Sequence, residues 1–274
     1  MNAFPPRRRI SFLVTVTAAV TLLAGCGGAD PARQAGPSPS TESVSSANGS
    51  VVPETPSAPA TPLPKPGQTD AAGLVVPART AGDLAEDSFP RPADLGRGWQ
   101  QFIDPGDVAE GYTGNGAWVR ERGASEVVQA VVPLGCAGLT SPPVLPVPKH
   151  ALEATYRGPG DAPGVAIVLD YASAAQASRF VAGMAKIARS CQAPAGKVRA
   201  DDPLTVVVEP VRIGARTVLD RRREYGVGAS EWLWSEMVVL HGARVGLLIL
   251  ASPKSSEAPD LNRLSERLRT TVSR

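Results

Sequence analysis

The stretch SEWLWSEMVVLHGARVGLLILA, residues 230–251, decides the predicted fold. It holds two apolar runs, at positions 230–240 and 245–251, on either side of a turn-forming segment at 241–243. This pattern predicts a β-hairpin. A helix should follow, opened by Pro259 and Asp260, because apolar residues then recur at three- and four-residue spacing. The residues of that stripe are Leu261, Leu264, Leu268 and Val272.

A second unit of the same kind lies upstream. Residues 151–157 and 165–171 are strand-like and flank the turn-forming sequence GPGD at 158–161, so they predict another hairpin. Ser173 and Gln176 then have the spacing of a capping box, which predicts a helix that begins there and continues to about residue 188. Its predicted buried stripe consists of Ala177, Phe180, Met184 and Ile187.

Four further strand candidates complete the domain. Residues 116–122 and 127–134 flank a turn-prone segment at 123–125, and residues 204–211 and 217–225 follow the first helix. Strands joined mainly by short turns favour an antiparallel sheet. We therefore predict an α+β fold, in which helices pack on the apolar face of an antiparallel sheet built around two hairpin–helix units.

Residues 1–25 have the features of an export signal peptide. Three arginines at positions 7–9 precede an apolar run at 10–23, which is too short to cross a bilayer as a mature helix. The run ends in LAGC at residues 23–26, the pattern of a lipobox. Plain secretion and a retained membrane helix are the alternatives. A cysteine at the cleavage point favours the lipoprotein interpretation over both.

Cys26 is therefore the predicted site of lipidation, with palmitate or a similar acyl chain as the anchor. Two or three acyl chains hold a protein firmly on a membrane, because each buried methylene contributes about 0.8 kcal/mol. We expect the mature chain to lie at the outer face of the cytoplasmic membrane, tethered to the bilayer without spanning it.

Residues 26–86 form the predicted tether between this anchor and a folded domain. The composition shifts to Pro, Ser, Thr, Ala and Gly, with ten prolines between Pro31 and Pro77. Such a stretch cannot bury enough apolar surface to offset the entropy that ordering would cost, so it is predicted to be disordered. The remaining residues, 87–274, are enough for one ordinary domain with its own core.

The charge of the processed chain is close to zero. The precursor has 28 basic and 26 acidic residues, and removal of residues 1–25 takes away three arginines and no acid. A net charge of about −1 gives no overall electrostatic reason to expect a nucleic-acid partner or a strongly anionic membrane surface.

Two cysteines remain in the domain, Cys136 and Cys191. An even pair outside the cytoplasm is expected to oxidise, so a structural disulfide is the favoured interpretation. A redox-active pair is the alternative, but the sequence has neither the Cys-x-x-Cys spacing nor a thioredoxin-like context.

The sequence contains no motif that indicates catalysis, a metal site or a cofactor. The two histidines, His150 and His241, are far apart and lack the spacing of a zinc site. No nucleophile elbow, Ser-x-x-Lys pair or His-Glu-x-x-His helix occurs. We therefore predict a protein that is not an enzyme and has no cofactor.

Tryptophans and arginines supply the candidate ligand-binding residues. They are Trp99, Trp118, Trp232, Trp234, Arg221 and Arg223. Alternation along a strand places each close pair on one face, where the tryptophans could line an apolar cleft and the arginines could hold an anionic ligand. The alternatives are that the tryptophans belong to the core and that the arginines protect a solvated edge strand.

Several features together resemble actinobacterial lipoproteins related to the extracellular sensor domain of the mycobacterial serine/threonine kinase PknH. They are the run FPRPADLGRGW at 89–99, Cys136, a helix ending at Cys191, and the closing hairpin and helix at 232–272. The resemblance implies an α+β domain with a ligand-binding cleft, no catalytic machinery, and a bridge between the two cysteines. A second cysteine pair and a kinase segment are both missing from this chain. Lipoproteins of the Mog1/PsbP-like kind have a similar element order.

These observations favour a lipid-anchored, extracytoplasmic binding or sensor-like lipoprotein that is not an enzyme. The expected partners are the membrane, through the anchor, and a small-molecule, lipid or cell-wall ligand. The alternatives are a cell-envelope hydrolase without a recognisable motif and a structural lipoprotein that docks to a partner. A cleft with two perturbed carboxylates would favour the hydrolase, and a closed domain would favour docking.

Overall fold

The computed structural model describes residues 69–70, 73–132, 136, 143–192, 204–254 and 259–274. The predicted signal peptide, the lipidation site Cys26 and most of the predicted tether lie outside these residues. The described strands are β1 (Gln100–Gln101), β2 (Gly106–Asp107), β3 (Tyr112–Thr113), β4 (Val119–Glu121), β5 (His150–Arg157), β6 (Pro163–Asp170), β7 (Thr205–Ile213), β8 (Thr217–Tyr225), β9 (Trp232–His241) and β10 (Arg244–Pro253). The α-helices are α1 (Pro92–Leu95), α2 (Ala124–Ala130), α3 (Ala174–Ser190) and α4 (Leu261–Val272).

One antiparallel sheet organises the described part of the domain. Its strands lie in the order β1-β5-β6-β10-β9-β8-β7, and β4 pairs with β5 beside β1. Strands β2 and β3 form a small separate hairpin. The predicted α+β class and the antiparallel sheet are confirmed.

Both predicted hairpin–helix units are present. Strands β9 and β10 pair from His241 with Arg244 to Trp232 with Pro253, and Gly242 takes the positive φ of 59° that the tight turn requires. Strands β5 and β6 pair along their whole length around the predicted 158–161 turn. Helices α3 and α4 follow these hairpins in the predicted places.

The two long helices begin at the predicted capping residues. The hydroxyl of Ser173 accepts a hydrogen bond from the amide of Gln176 at 3.3 Å. Asp260 accepts from the amides of Asn262 and Arg263 at 3.0 and 3.1 Å. Each cap satisfies amides that have no partner within the helix, which fixes where the helix starts.

Helices cover both faces of the sheet, whereas the sequence analysis expected one apolar face. On β10, Val245 and Leu247 point to the α3 side, and Leu248 and Leu250 point to the α4 side. A Cβ at Gly246 would lie 3.1 Å from Leu268, so glycine at this position lets α4 approach the strand closely. The result is a three-layer helix–sheet–helix arrangement with two separate cores.

The strand predicted at 127–134 is wrong, because residues 124–130 form α2. Val127, Val128 and Val131 are buried at the three- and four-residue spacing of a helix face, in the same core as α3. The strand predicted at 116–122 is present in shortened form as β4. A run of β-branched residues this short is compatible with either structure until its packing is known.

The folded domain begins before the predicted boundary at residue 87. Val76, Ala81 and Leu84 are each at most 2% exposed, and Leu84 packs in the core beneath α4. Gly82 permits a close approach of His150, since a Cβ there would lie 2.8 Å from the imidazole Nε2. Isolated apolar residues in a proline-rich stretch are therefore anchored by the sheet.

A disulfide joins Cys136 to Cys191, in agreement with the predicted pairing. Cys191 ends α3, and its carbonyl accepts a hydrogen bond from the amide of Val208 on β7 at 2.7 Å. Cys136 forms an isolated parallel bridge with Val206 of the same strand. The disulfide thus connects the end of α3 to Cys136, which pairs with β7 at Val206.

We expect the double variant Cys136→Ser, Cys191→Ser to be less stable than the wild type by up to about 4 kcal/mol, because the bridge closes a loop of 55 residues. Urea unfolding monitored by tryptophan fluorescence measures the difference. Reduction of the disulfide in the wild type should shift its unfolding curve in the same direction. Identical unfolding curves for all three would contradict a structural role.

Candidate functional site

Trp118 belongs to the core beneath α4. Its ring makes edge-to-face contacts with Phe89 and Tyr156, with centroids 6.0 and 5.3 Å apart. Its indole N–H donates to a carboxylate oxygen of Glu86 at 2.6 Å. Trp99 packs on the same side of the sheet, where a Cβ at Gly158 would lie 2.9 Å from its ring. Both side chains contribute packing, and glycine makes room for Trp99.

Trp232 and Trp234 lie on the opposite side of the sheet, the α3 side. They form a small cluster with Ala162, Ile249 and Ala251. The indole N–H of Trp234 donates to the hydroxyl of Ser230 at 3.2 Å. Since the sheet separates this pair from Trp99 and Trp118, the predicted cleft lined by all four tryptophans does not form.

The arginine run lies on an interior strand, so the alternative of a solvated edge strand is wrong. Strand β8 is paired with β7 on one side and β9 on the other. Arg223 contacts Glu209 of β7 at 3.1 Å, and the two side chains are 32% and 49% exposed. Ion pairs with this much exposure contribute little stability. Arg221 shares the face of Arg223, and Arg222 points to the other face.

The sequence analysis did not select Arg222, Asp220 and Glu236, yet they form the most unusual group in the described domain. We call them the acidic pair (Asp220 and Glu236) and its arginine. Asp220 on β8 pairs directly with Glu236 on β9, and both are at most 3% exposed. Arg222 forms an ion pair with Glu236 and lies 3.9 Å from Asp220.

Asp220 favours its protonated, neutral form. Burial raises the pKa of Asp220 well above its usual range, and the neighbouring Glu236 raises it further, while Arg222 opposes the shift. When Asp220 is protonated, one carboxylate and one guanidinium remain, and the group is electrically neutral. That is the charge state a buried site favours.

Apolar side chains close the space around the acidic pair. Met184, Ile187 and Ala188 of α3 cover it from above and Val208 of β7 borders it. The remaining space does not admit a water-sized sphere. One oxygen of each carboxyl group nevertheless has no hydrogen-bond partner among the described residues. An accessible carboxyl with a raised pKa can exchange its proton with a ligand, but here α3 covers Asp220.

A second buried charge group fastens the β2–β3 region to the sheet. Glu153 is fully buried and pairs with Arg120 at 2.8 Å and Arg122 at 2.7 Å. Arg120 also contacts Asp104 at 3.1 Å and stacks over the ring of Tyr112 at 4.2 Å. Burial alone would lower the pKa of Arg120, but the two carboxylates raise it, so it stays charged. These pairs are satisfied and serve to position the hairpin.

The described residues offer neither a metal-binding cluster nor a membrane-spanning helix. No group of three or more His, Cys, Asp or Glu side chains in this part of the chain could hold a metal ion. Among the same residues, no helix combines the length and apolar character that crossing a bilayer requires.

Comparisons with known proteins leave the family open. No known protein family and no curated protein match the chain. Among solved structures, it is similar to the extracellular domain of PknH from Mycobacterium tuberculosis, with 13% identity and a TM-score of 0.31. The match covers 45% of this chain and spans 62% of that domain. The resemblance noted in the sequence is thus matched by a weak structural similarity only.

Asp220→Asn is expected to remove a pH dependence of stability. Above about pH 4 the unfolded aspartate loses its proton while the native one keeps it, so wild-type stability falls as pH rises towards the native pKa. Asparagine cannot ionise. The free energy of unfolding of the variant, relative to that of the wild type, should therefore rise by up to about 1.4 kcal/mol per pH unit over this window. Urea unfolding between about pH 4 and pH 8 measures the difference.

Asp161→Asn is the matched control, because Asp161 is 75% exposed and asparagine tolerates its φ of 61°. This variant should follow the wild-type pH profile. If the stability of Asp220→Asn also follows the wild-type pH profile, Asp220 does not keep its proton in the native state.

Proposed function

We propose that this chain is a lipid-anchored, extracytoplasmic binding lipoprotein and that it has no enzymatic activity. The lipobox LAGC at residues 23–26, placed after a short apolar run, supports acylation of Cys26. The chain would then be held at the outer face of the cytoplasmic membrane. A sensor-like role belongs to the same proposal, with a small-molecule, lipid or cell-wall ligand.

The observation that carries the proposed location is the bridge between Cys136 and Cys191. Disulfides persist in oxidising compartments and are rare in the cytosol. A structural bridge at the end of α3 therefore supports export of the domain, which is the step that the predicted signal peptide would perform. The two features are independent, since one lies in the leader and the other in the fold.

A hydrolase is the second candidate function, and the acidic pair is the observation in its favour. Paired carboxyls with separated proton affinities are the arrangement used in acid–base catalysis. Substrate would have to reach Asp220 through Met184 and Ile187, which cover it. Because α3 covers the acidic pair, Asp220 and Glu236 suit a structural role better than contact with a substrate, and this favours binding over hydrolysis.

Cys26→Ser is expected to release the protein from the membrane. Cells producing the variant are fractionated, and the membranes are washed with concentrated salt to remove proteins held by charge alone. The wild type should stay in the membrane pellet, and its mass should exceed that of the processed chain by the mass of the acyl groups. Ser45→Ala, in the predicted tether, is the control and should stay in the pellet. A wild type without acyl mass would contradict the proposal.

The binding half of the proposal is tested by native mass spectrometry of the wild type extracted from its own membrane. We expect a co-purifying small molecule, lipid or cell-wall fragment in addition to the covalent anchor. Repeated recovery of the bare protein would contradict a ligand-binding role and favour docking to another macromolecule.

A further inference from the structure

A proline-rich segment, PVLPVP at residues 143–148, lies on the outside of the domain; we call it the strap. Its burial repeats every three residues, since Leu145 and Pro148 are buried while Val144 and Val147 are 99% and 51% exposed. A period of three is the repeat of a polyproline II helix, which proline favours. One edge of the strap therefore faces the domain, and the opposite edge presents two valines to the outside.

The strap is fixed on α3. Leu145 packs with the α3 core residues and contacts the helix at Gly183, where an added Cβ would collide with the leucine side chain. At the end of the strap, the amide of Lys149 donates to the carbonyl of Asp170 at 2.7 Å. Because Leu145 and Lys149 are both held, the strap that carries Val144 and Val147 is fixed to the domain at two points.

Basic side chains surround this contact. Arg179 and Lys186 lie four residues before and three residues after Gly183, which makes them its neighbours on the helix surface. Both are exposed, and so is Arg189 one turn further on. The 17 residues of α3 include no acid, and no carboxylate of the described residues forms an ion pair with these three side chains.

We propose that the strap and the basic face of α3 form a docking surface for a bilayer of anionic phospholipid. The cations would contact lipid phosphates, and the valines would enter the boundary between headgroups and acyl chains. The inference rests on the proposed function, because an exported and anchored domain faces such a bilayer. The anchor would also keep the domain close to it, so weak intrinsic affinity is enough.

The composition of the surface favours a bilayer over other occupants. A soluble polyanion would use the cations but would gain nothing from Val144. A protein groove would use the valines but would not need the three cations of α3, which form no ion pair with the described residues. A contrasting exposed valine is Val108, at 74% exposure, which lies next to Asp107 and therefore lacks the basic surroundings.

The test uses the processed chain with Cys26→Ser, which cannot be acylated, so the anchor does not contribute to binding. Its co-sedimentation is measured with vesicles of phosphatidylcholine alone and of phosphatidylcholine mixed with phosphatidylglycerol. We expect binding to the anionic vesicles only, and weaker binding as salt is added. Adding Arg179→Gln and Lys186→Gln should lower the affinity by roughly 25-fold, at about fivefold for each cation.

Two matched controls separate this surface from general charge and apolarity. Arg263→Gln with Arg274→Gln removes the same charge from α4 and the C-terminus, beyond the opposite face of the sheet, and should leave binding within about twofold of the parent, since screened distant charges contribute little. Val144→Ser should weaken binding by up to roughly tenfold, whereas Val108→Ser should leave it unchanged. Circular dichroism checks that each variant is folded.

The outcomes distinguish the inference from the proposal on which it rests. Equal losses from the two double variants, or equal binding to neutral and anionic vesicles, would overturn the docking surface. If the unacylated chain does not bind vesicles while the wild type carries acyl groups on Cys26, the docking inference is wrong and the lipoprotein proposal stands. If the parent chain and its Val144→Ser variant bind inorganic polyphosphate with the same affinity, the occupant of this surface is a soluble polyanion and the bilayer inference is wrong.

Discussion

Burial of the central sheet on both faces is the constraint from which the rest of the structure follows. Strands β6, β10 and β9 contribute side chains to one core under α3 and another under α4. A strand buried on both faces reads as a continuous apolar run, as GLLILA does at residues 246–251. An antiparallel sheet more often leaves one face to water, and this departure explains why two long helices are needed.

The buried charge groups are consequences of the same constraint. A polar residue on a sheet without a solvent face must find a partner inside. Glu153 is paired with two arginines and Glu236 with Arg222, while burial raises the pKa of Asp220, which favours its neutral form. Replacing such a group by apolar residues is often tolerated, so its presence is an argument for specificity of strand pairing as much as for stability.

Local signals in the sequence predicted most of the fold. Both hairpins, both long helices and the caps at Ser173 and Asp260 depend on residues that are neighbours in the chain, and all were predicted. The helix at 124–130 was mistaken for a strand, because two valine pairs fit either period until their packing is known. The start of the domain was missed, since only tertiary contacts bury Val76 and Leu84.

The candidate site was less predictable than the fold, because it depends on strand register. Alternation places Asp220 and Arg222 on one face, but nothing local indicates that Glu236 lies directly opposite Asp220. A usable signal was the charge in the apolar run of β9, where a buried partner had to exist. The tryptophans were the conspicuous residues, yet the sheet divides them into two packing clusters.

The outer edge of β7 is protected against pairing with strands of other molecules. Its outer edge contacts the two bridged cysteines, Cys136 at Val206 and Cys191 at Val208, and further along it carries Pro210 and an irregular register. Proline and bulges are devices that stop a bare strand from recruiting a strand of another molecule. Loss of the sulfur cross-link would therefore also leave more of this edge open to a strand of another molecule.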